Sequence, residues 1–119
     1  MGDQRLQPVE RLRCPRAYRR VFQQGKKLVS PLFVLYVLPT SQPHSRLGLA
    51  VSKRIGSAVV RNRVKRRLRE VFRRHKELLD PPCDIVFVAR SAAAKAPTGV
   101  YTEQFCKLLR NCQHGKQES

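Results

Sequence analysis

SKRIGSAVVRNRVKRRLREVFRRHK, residues 52–76, carries 11 of the chain's 25 Lys and Arg residues and a single acid, Glu70. Placed on a helical wheel at ~100° per residue, Val60, Val64, Leu68, Val71, Phe72, Leu78 and Leu79 fall within an arc of roughly 120°, the width of a core-facing stripe. Asn62, Arg63, Lys65, Arg66, Arg67, Arg69, Arg73 and Arg74 fill the remaining arc, with Asn62, Arg66, Arg69 and Arg73 near its centre. Ser57 is a suitable N-cap, and Pro81-Pro82 cannot continue a helix. The pattern therefore predicts a helix from Ala58 to about Leu79, with one stripe docked on the rest of the molecule and a cationic ridge on its back.

A merely solvated face mixes signs, so that charges four apart pair up. This one has almost no acid to pair with, so its counter-charge is expected from outside the chain. Arg predominates over Lys, and the planar guanidinium grips phosphate with two hydrogen bonds and stacks on bases. Groove-reading DNA helices sit mostly in all-helical modules, whereas the segments flanking this helix are β-like. A membrane-surface helix needs a free apolar face, and here that face is needed to cover a sheet.

Working outward, Arg46–Lys53 (RLGLAVSK) alternates, with Leu47, Leu49 and Val51 on one face and Gly48, Ala50 and Ser52 on the other. The second face carries small side chains, which let a backbone or a ligand approach closely. Leu32–Leu38 (LFVLYVL) and Asp84–Arg90 (DIVFVAR) are apolar on both sides, which predicts strands covered on both faces. A weaker strand fits Lys27–Ser30. Pro15 to Gln24 reads as a short helix with Tyr18, Val21 and Phe22 on one side, begun by a proline and stopped by Gly25. Val100 to about Asn111 reads as a last amphipathic helix with Tyr101, Phe105, Leu108 and Leu109 inward. The expected order is α-β-β-β-α-β-α. This is an α/β (α+β) sandwich on a small mixed sheet of about four strands, with three helices and one crossover through the long helix.

The whole chain has 119 residues and a net charge of 25 − 8 = +17, with an isoelectric point near 11.1. That length suits one domain spanning 1–119, with mobile ends expected at about 1–10 and 112–119. So large a positive charge opposes compaction unless polyanions are near, and it points to nucleic acid. No run reaches the ~20 apolar residues of a membrane span. The opening MGDQRLQPVERLR has no apolar core of a secretion signal. No membrane partner is expected, and the expected location is the cytoplasm. Cys14, Cys83, Cys106 and Cys112 lack zinc-site spacing and are expected to be reduced thiols. They are assigned no role.

Single-stranded RNA is held by aromatic faces beside a basic groove. Tyr18, Phe22 and Tyr36 are candidates for such a platform, although Phe22 by itself reads more readily as core. No pair of carboxylates offers a two-metal site, and no serine has a partnered histidine. The chain shows no catalytic constellation of its own.

The run Ser52-Lys53-Arg54-Ile55-Gly56, Ala58-Val59, Arg61-Asn62-Arg63-Val64-Lys65-Arg66 and Leu68-Arg69-Glu70 resembles the signature of the bacterial ribonuclease P protein subunit. The aromatic pair of the first helix and the FVLY, RLGLAVSK and DIVFVAR strands lie in the family's order, so the resemblance covers roughly residues 9–111. It implies a left-handed βαβ crossover around the Arg-rich helix, where general topology rules give the opposite hand. It implies the protein subunit of a ribonucleoprotein endoribonuclease that removes the 5′ leader from precursor tRNA. The catalytic centre is then the RNA subunit with its Mg²⁺ ions, and the partners are that RNA and the precursor tRNA. By position, Arg61, Asn62, Arg63, Lys65, Arg66 and Arg69 match the motif that contacts the RNA subunit. Lys53 and Arg54 match the basic entry to it, and Arg73 continues the ridge. Tyr18, Phe22, Val34 and Tyr36 match the cleft for the single-stranded leader. Tyr18 stands where many members have Phe, and the Cys14-Pro15 helix start departs from the usual pattern. The alternatives are a structural RNA binder such as a ribosomal protein, and a DNA-binding regulator.

Overall fold

Four strands and three helices build the chain, seen in a computed structural model that describes residues 10–118. In order they are α1 (Pro15–Gln24), β1 (Lys26–Val29), β2 (Phe33–Pro39), β3 (Arg46–Ala50), α2 (Ala58–His75), β4 (Cys83–Ala89) and α3 (Thr98–Glu118). Short 3₁₀ turns occupy Lys53–Ile55, Lys76–Leu78 and Ser91–Ala94. The expected order α-β-β-β-α-β-α is the one observed. The expected mobile arm at 1–10 lies, apart from Glu10, outside the described residues.

The sheet runs β1-β2-β4-β3. β1 and β2 form an antiparallel hairpin, β2 and β4 are antiparallel, and β3 lies parallel to β4. Parallel neighbours need a crossover, and α2 supplies it. One face packs under α2 and α3. Phe33, Leu35, Val37, Leu47, Ile85 and Phe87 meet Val64, Leu68, Val71 and Phe72 of α2 and Tyr101, Phe105, Leu108 and Leu109 of α3. Phe87 is central, edge-on to Phe33 at 4.9 Å and tilted against Phe105 at 5.5 Å. Such pairs add about 0.5–1.5 kcal/mol to their burial.

The other face carries only α1, whose ten residues span ~15 Å. Val21 is its buried anchor, set on Val86 beside Leu12. Val34, Tyr36 and Leu38 of β2 and Val88 of β4 stay half-buried. The expectation that both faces of these strands are covered thus fails on this side, because the helix is too short to roof the sheet.

Both sheet edges are protected. β1 puts exposed Lys26 and Lys27 on one edge, a device that discourages further strand pairing. At the other, residues 10–12 lie along β3. Arg11 bridges to Leu47, the Leu12 N–H donates to the Leu47 carbonyl (2.9 Å), and the Leu12 side chain is buried. Glu10 is ion-paired with Lys76 past the end of α2. Arg46 grips the buried Asp84 through two hydrogen bonds of 2.8 and 2.7 Å, joining β3 to β4. Asp84 in turn raises the Arg46 pKa further, chiefly through that hydrogen bond.

Boundaries moved where tertiary geometry intervened. β3 stops at Ala50 instead of Lys53, since the chain turns into the 3₁₀ segment. α2 stops at His75, and the turn after it rotates Leu78 outward to 41% exposure, off the stripe predicted for it, while Leu79 remains buried. α3 continues to Glu118, beyond the expected end near Asn111. Gly25 ends α1 without a left-handed turn, having φ −75° and ψ 158°. A Cβ there would lie 2.5 Å from the Val21 carbonyl oxygen, so space dictates the glycine. Gly56, at φ +152°, is the position that needs glycine's conformational freedom. Cys83 is buried and its thiol donates to the Pro81 carbonyl, whereas Cys14 and Cys106 are free thiols. The Cys112 side chain lies outside those described.

Candidate nucleic-acid interface

Ser57 caps α2 by accepting the Val60 N–H, and the buried stripe of Val64, Leu68, Val71 and Phe72 fixes the helix's rotation on the sheet. The back of the helix is then set by the 3.6-residue period. Asn62 and Arg66 stand exposed, and Lys65 and Arg69 are half-buried on the flank toward β3. Lys53 and Arg54 are exposed on the 3₁₀ turn at the ridge's head. Among the described residues, no side-chain hydrogen bond or ion pair holds Asn62, Arg66, Lys53 or Arg54. Val59, at 74% exposure, lies one turn before Asn62 on the same line.

Other ridge cations are engaged. The Arg61 Nε donates to the Gly56 carbonyl (3.2 Å) and Arg63 to the Ala94 carbonyl (2.8 Å). Arg67 donates to the Ala96 carbonyl (2.7 Å) and lies 5.9 Å from the centre of the Tyr101 ring. Burial pushes the Tyr101 hydroxyl above its ordinary pKa, against the opposing pull of Arg67. Glu70 is not the isolated acid it was expected to be. It accepts from Arg73 (2.7 Å) and lies 3.5 Å from Arg74. Arg73, placed at the ridge's centre by the wheel, is therefore partly neutralised. Of the exposed cations on the ridge and its entry turn, Lys53, Arg54 and Arg66 have no side-chain partner among the described residues, whereas Arg74 lies against Glu70.

The aromatic candidates come together on the half-roofed face. Phe22, 40% exposed, meets Tyr36 edge-to-face at 4.9 Å and 85°. Val34 shares that strand face with Tyr36. Tyr18 lies further toward β3, where its hydroxyl accepts the Leu49 N–H (3.1 Å). Its ring occupies the space above Gly48, where a Cβ would come within 2.8 Å of ring atoms. The close approach expected over the small-residue face of β3 is thus made, at Gly48, by the chain's own tyrosine. Arg11 and Arg13, given no role by the sequence reading, lie beside Tyr18, Lys65 and Arg69. Leu12 between them is the one local signal for docking, a lone apolar residue among charges.

The described residues contain no group of three or more His, Cys, Asp or Glu side chains able to hold a metal ion. No helix among them is long and apolar enough to cross a membrane.

The family model for ribonuclease P matches residues 6–113. The ribonuclease P protein component of Syntrophobacter fumaroxidans is 44% identical over 109 residues, covering 91% of this chain and 92% of that one. The corresponding component of Shouchella clausii is 46% identical over 89 residues, covering 74% and 73%. Among solved structures, the RNase P protein of Staphylococcus aureus superimposes with a TM-score of 0.78 at 31% identity, covering 87% of this chain and 94% of the other. That of Thermotoga maritima gives 0.76 at 33% identity, covering 86% and 96%. The agreement takes in the cationic helix, the sheet beneath it and the aromatic face together, and the chain belongs to the ribonuclease P protein family.

Proposed function

We infer that the chain is the protein component of ribonuclease P, a ribonucleoprotein endoribonuclease, and works with an RNA subunit to remove the 5′ leader of precursor tRNA. The observation that carries the reading is a ridge of open cations lying next to a half-covered aromatic face. Asn62, Arg66, Lys65, Arg69, Lys53 and Arg54 face the RNA subunit. Arg61, Arg63 and Arg73, each with a partner inside the chain, shape that surface and contribute charge at its edges. Phe22, Val34, Tyr36 and Tyr18 receive the single-stranded leader, with Phe22 and Tyr36 offering ring surface to its bases.

The contribution of the chain is electrostatic. Two RNAs brought together repel through their phosphates, and each Lys or Arg contact displaces condensed counterions and lets assembly proceed at lower salt. Mg²⁺, which supplies the activation of water for phosphodiester cleavage, is assigned to the RNA subunit, and no protein ligand to it is proposed. Work on precursor tRNA places the chain in the cytoplasm.

Two variants test the assignment. Arg66→Ala with Arg69→Ala should weaken binding to the RNA subunit and flatten the dependence of log affinity on log salt by about 1–2, as expected for two lost phosphate contacts. An unchanged affinity and slope would refute the ridge. Tyr36→Ala should weaken precursor tRNA binding by the holoenzyme by about 1–3 kcal/mol per stacked base lost, with mature tRNA binding unaffected. Equal losses for both tRNAs would remove the leader from that face.

A further inference from the structure

A cavity of about 300 Å³ lies where residues 11–13, α1, β3 and α2 meet. Arg11, Arg13, Lys65 and Arg69 line it, with Tyr18 and Leu12 among its other walls, and among the described residues no carboxylate borders it. The acids nearest in sequence are turned to other partners, Glu10 to Lys76 and Glu70 to Arg73 and Arg74. Burial, and after it the charge of Arg11, holds the Arg69 guanidinium below the ordinary arginine pKa. Cations gathered in a partly desolvated hollow repel one another, and an anion placed among them relieves both costs. The volume is at the small end of ligand pockets, ~300–1,000 Å³, and suits a phosphate with its attached sugar.

We propose that this cavity holds one phosphate group of an RNA strand, gripped by Arg11 and Arg13 from the N-terminal segment and by Lys65 and Arg69 from α2. Seating the segment on β3 completes the site. The Arg11–Leu47 bridge and the Leu12 N–H bond to the Leu47 carbonyl set its register, and the buried Leu12 side chain anchors it. Tyr18 borders the cavity and also flanks the aromatic face, so the phosphate site lies between the ridge and that face. The proposal rests on the RNA reading above and adds two residues and a discrete site to it.

Inorganic pyrophosphate serves as the probe, titrated calorimetrically into the full chain. Saturable binding at one site is expected. The double variant Arg11→Gln, Arg13→Gln should weaken it at least tenfold. The charge-matched control Lys107→Gln, Arg110→Gln, on α3, should change it less than twofold. Equal losses in both would reduce the site to diffuse charge and overturn it. The same variants are then titrated with the RNA subunit across a salt series. Arg11→Gln, Arg13→Gln should lower the salt slope by about 1, as one phosphate contact is lost. Arg11→Lys, Arg13→Lys keeps the charge without the forked donors. It should restore the slope, which also separates loss of the site from loss of folding. Pyrophosphate binding that the Gln variant abolishes while the RNA slope stays unchanged would make this a site for free anions and overturn the RNA assignment. Failure of the broader reading looks different, since the unaltered chain would then not bind the RNA subunit at any salt.

Discussion

Arg66 points into solvent, while Arg67, one position further on, reaches the Ala96 carbonyl and the face of Tyr101. A 100° step around the helix separates them, and it turns one guanidinium toward solvent and the other toward α3. The same step separates Asn62 from Arg63, whose guanidinium is spent on the Ala94 carbonyl. Arg67→Ala should therefore destabilise the fold by about 1.5–3 kcal/mol, the range for a hydrogen bond from a charged donor, as read by urea unfolding. Arg66→Ala should leave stability within about 0.5 kcal/mol, as is usual at such surface sites. Equal effects would mean that the two arginines are not divided in this way. Residue identity announces the cationic character of this helix, but the partners of Arg61, Arg63, Arg67 and Arg73 come from neighbouring turns, loops and carboxylates that the wheel does not show.

At the scale of elements, α1 and the sheet face under it control how much aromatic surface is open. α1 is short because Gly25 must run directly against β2, with no room for a side chain between the Val21 and Val37 carbonyls. Gly25→Ala should cost about 1–3 kcal/mol through overpacking against backbone, measured by thermal or denaturant unfolding. A neutral effect would show that α1 can shift off the sheet. At Gly48 the obstructing atoms are instead the tip of Tyr18. Gly48→Ala should displace that ring, sacrifice its hydrogen bond to Leu49 at about 0.5–1.5 kcal/mol, and weaken precursor tRNA binding more than mature tRNA binding. An unaltered Tyr18 environment by NMR would contradict this. The apolar runs that predicted β2 and β4 were sound for the face under α2 and α3. They misjudged the other face, because apolar residues left half-open look the same in sequence as apolar residues under a helix.

For the molecule as a whole, a charge of +17 sits within a radius of gyration of 13.6 Å. Between ~0.01 and ~0.15 M salt the Debye length falls from ~30 to ~8 Å, from about the molecule's own 39 × 31 × 30 Å extents to well below them. Repulsion across the molecule is then screened, so the melting temperature should rise over that range. Phosphate should raise it more than chloride at equal ionic strength, because a multivalent anion can occupy the clustered cations. A melting temperature that fell or stayed level would show that self-repulsion is not a significant cost to this fold.

The sequence by itself determined the order of elements, the buried stripe of α2, the cationic back opposite it and the family signature written across both. Periodicity and composition are local properties, and a helix buried on one side carries its own record of which side that is. Tertiary structure alone decided which cations remain open, since Glu70, Gly56, Ala94 and Ala96 claim Arg61, Arg63, Arg67, Arg73 and Arg74 only once the chain has folded. It also decided that Arg11 and Leu12 pair with β3, placing Arg11 and Arg13 beside Lys65 and Arg69. Contacts between segments some fifty residues apart leave no periodic trace in the chain, and here they depend on a sheet edge that exists only after β3 and β4 have been joined through α2.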